Sequence, residues 1–470
     1  MGRAESFITE CLRRKTADYL EVRLEDSQST RVTLRGLNVD SVSETVLAGG
    51  CVRALVDGGW GFVSFNDPKT LEAKVAEAVA LGRAASPRRR GRAPAGGESV
   101  RLAPCPAVRA GVSAPAVGKD ARSIPLAAKV DLVRGYAKLA VESGPLIKTV
   151  QATYFDRSTR LTFANSEGTF ITQEHLDLAG SVGVVAGRNG LTQFQACTFG
   201  SAGDYAAAEG LDGEVRETCD LARNLLDAPP PEGGEQTVVL DPGLTGIFIH
   251  EAFGHLSEAD NVSGNPRLAE HMCLGRVLGG PELNVYDTGE LDGVRGCLGY
   301  DDEGVAARRV DIIREGRLVG RLHSRGTAGR LGESPTGNAR AITYRYPPIP
   351  RMRTTCVAPG EATLEELLRG VSRGLYARRA LGGNTSGETF TFRPAEAYLI
   401  QDGRLGKLVR DVVLSGNVFD TLRDIDGIGR DFVLRDGPGG CGKGGQVGLA
   451  VSSGGPSLRV SRLTVGGARS

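Results

Sequence analysis

Only five histidines occur in the 470 residues, and two of them flank a glutamate in the run His250-Glu251-Ala252-Phe253-Gly254-His255. Two imidazoles and a carboxylate in six residues read as two metal ligands and a general base, the parts of a hydrolytic metal centre. The spacing is unusual. A helix that chelates zinc usually carries its histidines at i and i+4, on one face. Here the second stands at i+5, about 140° away on an ideal α-helix. Both can reach one ion only if the helix widens into a π-turn or ends near Gly254.

Catalytic zinc takes three protein ligands and keeps one position open. The third ligand must come from elsewhere in the chain. Nearby candidates are Glu258, Asp260, His271 and Cys273, and remote ones are His323 and Cys441. Cys441 lies in Gly439-Gly440-Cys441-Gly442-Lys443-Gly444-Gly445, where the glycines let the backbone approach another group closely. A thiolate there suits zinc. The same run mimics a phosphate loop, GxxxxGK ending at Lys443, but Gly444 replaces the Ser or Thr and a strand pattern follows instead of a helix. Nucleotide binding is disfavoured on that ground.

The elements that must position these residues follow from patterning. Asp241-Pro242 predicts an N-cap and first turn for the helix that bears His250. Residues 5–16 predict a helix, residues 19–24 a strand, and 52–56 with 61–65 a hairpin turning at Asp57-Gly58-Gly59. A helix over 68–84 closes this unit. Residues 86–124, rich in Pro, Arg, Gly and Ala, predict a linker containing the basic run Arg88-Arg89-Arg90 with Arg92. A second helix–strands–helix unit spans 125–226. In it, Ser158–Phe163 echoes Ser29–Leu34, which suggests an internal duplication. Asp227-Ala228-Pro229-Pro230-Pro231 marks a boundary. Beyond it, turns at Glu315-Gly316 and Asp402-Gly403 and one helix over 363–376 predict a mostly antiparallel β region. The expectation is an α+β protein with an N-terminal domain, 1–226, and a C-terminal domain, 227–470, that carries the HExxxH helix.

Composition removes several function classes. A net charge of +1 gives no electrostatic case for nucleic acid or an acidic membrane. No apolar run approaches the roughly 20 residues of a membrane span. Nine cysteines, an odd number without a CxxC, point to a reducing cytoplasm and not to a disulfide framework. The 66 glycines are about twice the usual share of about 7% and mark many turns.

Seven motifs then occur in order: HEAFGH at 250–255, DDEGV at 301–305, SPTGNAR at 334–340, PPIPRM at 347–352, AEAYLI at 395–400, CGKGGQ at 441–446 and LTVGG at 463–467. Together they resemble the TldD/PmbA family of peptidases, and the strong motifs cover about 237–467. The resemblance implies a zinc peptidase whose ion is held by His250, His255 and Cys441, with Glu251 as base. It implies unfolded or extended peptides as substrate and a dimer, with a metal-less paralogue as one partner. Because this chain keeps the motif, it resembles the active, TldD-type subunit. Asn338 and Arg340 are candidates for holding a peptide backbone or an oxyanion, against ordinary turn chemistry. Asp301, Asp302 and Glu303 are candidates for holding a ligand histidine's N–H, against a solvated turn. The rival class is a non-catalytic, metal-stabilised assembly or binding subunit, which a fourth ligand such as His271 or Cys273 would support.

Overall fold

The computed structural model describes residues 3–13, 17–86, 100–437 and 439–466. The basic run at 88–92 and the end of the helix expected over 5–16 lie outside the described residues. Helix α1 (Arg3–Arg13) buries Ile8, Cys11 and Leu12. Strands β1 (Tyr19–Arg35), β2 (Asn38–Val56) and β3 (Gly59–Phe65) form a meander, which α2 (Leu71–Ala85) covers. Helix α3 (Leu126–Glu142), strands β5 (Ile147–Asn165), β6 (Phe170–Arg188) and β7 (Leu191–Ser201), and α4 (Asp212–Asn224) repeat that order.

One seven-stranded sheet contains both units, in the order β3-β2-β1-β5-β6, with β1 and β5 antiparallel at its centre. Gln28 faces Ser158 and Ser29 faces Arg157. The segments Ser29–Leu34 and Ser158–Phe163 therefore start beside one another on the two central strands and run in opposite directions. The expected linker is partly structured. Within it β4 (Arg109–Val112) joins the sheet, pairing parallel with Phe170–Gln173 of β6. Four residues are too few for a period-2 pattern to stand out from a Pro- and Ala-rich background.

The remainder is built on β8 (Gly234–Leu240). It pairs parallel with Arg373–Ser386 and antiparallel with Leu458–Gly466. The path continues through Val413–Asn417 and Thr389–Gln401 back to Arg373–Ser386, closing a ring of strands. The helix expected over 363–376 stops early. Thr363 caps a helix of only Leu364–Leu368, Gly370 takes φ +83°, and a strand begins at Arg373. The strand that follows the Glu315-Gly316 turn is also short, Arg317–Leu318. A second sheet, of six strands, includes Val285–Thr288, Thr354–Val357 and Ser452–Gly455.

Helix α5 (Pro242–Phe248) lies between the ring and this sheet. Asp241 caps it as expected, its carboxylate accepting from Leu244 N. On the ring side Phe248 meets the edges of Phe390 and Phe392 at centroid distances of 5.3 and 6.0 Å. On the other side a Cβ at Gly246 would stand 2.8 Å from Ser453 Oγ, so only glycine lets the helix seat this closely.

The DDEGV run does not reach the histidines. Asp301 accepts from the backbone of Glu303, Val305 and Ala339. Asp302 pairs with Arg23 at 3.0 Å, and Glu303 pairs with Arg53 at 3.1 Å and accepts from Arg325 N. These acids stitch the C-terminal half to β1 and β2. Arg325 with Glu167 and Arg295 with Asp177 extend the seam.

Candidate metal centre

The chain runs from α5 directly into a π-helical turn, Ile249–Gly254, followed by a short α-turn, His255–Ser257. The backbone N–H of His255 donates to the carbonyl of His250, so the two histidines are themselves joined by the i→i+5 bond. That bond stacks residues five apart, where a regular α-helix would splay them. Buried Phe248, Ile249 and Phe253 anchor the widened turn. At Gly254 a Cβ would stand 2.1 Å from Met352 Sδ, so glycine is required for close packing there as well.

His250, His255 and Cys441 each present a ligand atom, all within 4.8 Å of one another. Cys441 Sγ lies 3.4 Å from His255 Nε2, and the two rings stand 5.4 Å apart at 82°. Tetrahedral zinc with Zn–S of about 2.3 Å and Zn–N of about 2.0–2.1 Å needs ligand separations of roughly 3.3–3.6 Å. The Cys441–His255 separation of 3.4 Å falls in that range, and two borderline nitrogens with a soft sulfur suit that ion as donors. Of the six candidates for third ligand, Cys441 is the one the fold delivers.

The other ring nitrogen of His255 is also occupied. Nδ1 lies 3.0 Å from Glu258 Oε2, which leaves Nε2 for the ion. This carboxylate–histidine pairing fixes both tautomer and ring orientation. Glu258 is fully buried and accepts a second contact, 3.0 Å from Lys443 Nζ. Lys443 also reaches Asp260 Oδ1 at 2.6 Å and the Pro350 carbonyl at 3.1 Å. So Glu258 and Asp260, candidates for third ligand, meet His255 and Lys443 and do not join the trio. Sequence reasoning set Lys443 aside as part of a failed phosphate loop. Its spacing of two from Cys441 on a glycine hairpin was the available signal.

Electrostatics inside the cluster are strongly coupled. Burial alone would raise the Cys441 thiol, but hydrogen bonds from His250 and His255 carry it down to about 5. Burial would lower His255, but Cys441 and Glu258 lift it to about 10. Burial likewise opposes the charge on Glu258, and His255 and Lys443 more than offset it, holding the carboxyl below its usual range. Thiolate and imidazolium therefore stabilise each other, and a divalent cation held there would compete with the proton they share.

Glu251 stands beside the trio. Its Oε2 is 4.0 Å from His255 Nε2, its side chain is 30% exposed, and its carbonyl accepts from Thr385 Oγ1 at 2.7 Å. The remaining candidates lie elsewhere. His271 stacks on Phe419, Cys273 donates to the Ala269 carbonyl, and His323 sits between Thr327 and Glu333. None joins the trio. Asn338 and Arg340 are buried and hydrogen-bonded within the fold, away from the trio. The Asn338 amide donates to Asp287 and to the Arg351 carbonyl, and Arg340 donates to the carbonyls of Met352 and Ala450. Their role is to fix the loop 349–353, whose Met352 packs on Gly254 and whose Arg351 donates to the Cys441 carbonyl at 2.6 Å.

Three family models match the chain in sequence order. They are the PmbA/TldA metallopeptidase domain 1 over residues 20–82, the central domain over 119–226 and the C-terminal domain over 233–467. A metalloprotease of Synechocystis sp. is 45% identical over 451 residues, 96% of this chain and 95% of its own length. A metalloprotease of Methanothermobacter thermautotrophicus is 34% identical over 461 residues, 96% of each chain. A zinc metalloprotease TldD homolog of Saccharolobus solfataricus is 41% identical over 246 residues, 52% of this chain and 54% of its own. Among solved structures, a modulator of DNA gyrase from Thermotoga maritima superposes with a TM-score of 0.76 at 18% identity, covering 98% of this chain and 99% of that one. TldE from Thermococcus kodakarensis gives 0.75 at 15% identity, with the same coverage. At these identities the two structures share the fold.

Proposed function

The chain belongs to the PmbA/TldD metallopeptidase family, and on that premise we propose that it hydrolyses peptide bonds at a zinc centre held by His250, His255 and Cys441. One observation carries this: the π-turn aligns the two histidines with a thiol from 186 positions further along the chain. Zinc held there would supply Lewis acidity, ionising water near neutral pH and polarising a carbonyl. Glu251 acts as general base. Partly exposed and next to the ligating Nε2, it takes a proton from the attacking water and returns it to the leaving amine. His255 is kept in its ligating tautomer by Glu258. Substrates are unfolded or extended peptides. The working form is a cytoplasmic dimer, either of this chain or with a metal-less paralogue. No helix among the described residues is long and apolar enough to cross a membrane.

The test is metal analysis joined to peptide cleavage with and without chelator, in wild type and Glu251→Gln. The glutamine variant should hold zinc normally and lose about 10²–10⁴-fold in kcat. Normal cleavage by a zinc-replete Glu251→Gln protein would remove Glu251 from the mechanism. Cleavage that survives complete zinc removal would remove the metal.

A further inference from the structure

We propose that Lys443 is a positioning residue for the metal centre, a latch that fastens the cysteine-bearing hairpin to the histidine-bearing turn. This rests on the zinc reading above. The hairpin pairs only with itself, through Cys441–Lys443 and Gln446–Leu449. Its two functional residues grip opposite edges of one imidazole. Cys441 meets His255 at Nε2, and Lys443 meets the carboxylate that holds Nδ1.

The ammonium has three protons and three acceptors, drawn from two separate segments: Glu258 Oε2 and Asp260 Oδ1 beside the histidine turn, and the Pro350 carbonyl. It is 14% exposed, while Glu258 is wholly buried. When His255 binds an ion as neutral imidazole, Lys443 remains the cation in contact with that buried carboxylate. A buried carboxylate left without a cation has lost the contact that offsets its burial and holds it in place. Once it turns from its histidine it ceases to orient the ligand. The acceptors on Asp260 and Pro350 meanwhile set how far the hairpin reaches, and so where Cys441 Sγ stops.

The experiment compares full-length wild type, K443M and K443R. Zinc affinity is measured by competition with a chromophoric chelator, and the thiolate-to-cobalt charge-transfer band is read after cobalt(II) substitution. K443M should bind zinc at least about tenfold more weakly, as expected for loss of a partner that orients a ligand, with a diminished cobalt–thiolate band. K443R, which keeps the charge, should stay within about threefold of wild type. In a Glu258→Gln background, K443M should cost less than it does in wild type, because part of its effect passes through Glu258. Zinc affinity unchanged in K443M, or an equal loss in both backgrounds, overturns the proposal. If K443M does not fold, Asp260→Asn replaces it, loosening the same ammonium. Weaker zinc binding at an unchanged melting temperature supports the latch, and unchanged binding overturns it. Wild-type protein that binds no zinc sinks the zinc reading and this inference together. Zinc binding that K443M leaves intact sinks this inference alone.

Discussion

The two segments that meet at the metal centre are fastened by opposite means. The turn bearing His250 and His255 is locked apolar on both sides, with Phe248 against Phe390 and Phe392 and glycines seated on Ser453 and Met352. The hairpin bearing Cys441 is half exposed, with Val447 at 73%, and is held by polar side chains. Lys443 grips the helix side, Gln446 bonds Ile342 and Pro347, and Arg351 takes the Cys441 carbonyl. Two ligands are thus placed by the folding of the core itself. The third side chain reaches the same core, but the hairpin that carries it is held mainly by polar contacts, whose removal should leave the rest of the chain folded.

That contrast can be broken or sharpened by substitution. Phe248→Ala should have the largest effect, a loss of about 3–5 kcal/mol in denaturant unfolding, since it opens a cavity where the ring and the helix meet. A loss under about 1 kcal/mol would mean that the turn is not core-locked. Gly254→Ala should cost about 1–3 kcal/mol through overpacking against Met352. Adding Met352→Ala should return part of it, and additive losses would deny that the two residues compete for the same space. Cys441→Ala, compared with wild type after chelation of both, should change stability by less than about 1 kcal/mol while zinc affinity collapses. A large stability loss would show the hairpin to be part of the core after all.

The smallest perturbation is proton concentration. In metal-stripped protein the Cys441 thiol is held down to about 5 by His250 and His255. Thiolate therefore persists as pH falls from neutral and is lost on passing through about 5. Alkylation of Cys441 should stay fast across that range, and a midpoint above pH 8 would contradict the histidine contacts.

The same contrast explains what was legible in the sequence. The turn announced itself, because Asp241-Pro242, the apolar run 247–249 and the i+5 histidines all act locally. Hairpins at Asp57-Gly58, Glu315-Gly316 and Asp402-Gly403 were readable for the same reason, each needing left-handed backbone. The hairpin's role was not readable from spacing alone. Polar fastening has no period, and Lys443 acquires its function only from Glu258, Asp260 and Pro350, which are distant in the chain. Asn338 and Arg340 show a related effect. Their tertiary partners, Asp287 and the carbonyls of Arg351, Met352 and Ala450, are invisible to local pattern. The helix expected beyond Leu368 failed at Gly370, whose φ of +83° ends it before the strand that pairs with β8.

The acids of the DDEGV run have a consequence for engineering. Glu303 is 3% exposed and faces Arg53, and the side chain of Asp302, 14% exposed, faces Arg23, so the counter-charges come from the other half of the chain. The C-terminal half is therefore not a portable cassette. Expressed without residues 1–226 it would carry these carboxylates stripped of their cations and of the strands that cover them, and grafting it elsewhere would require bringing those arginines along.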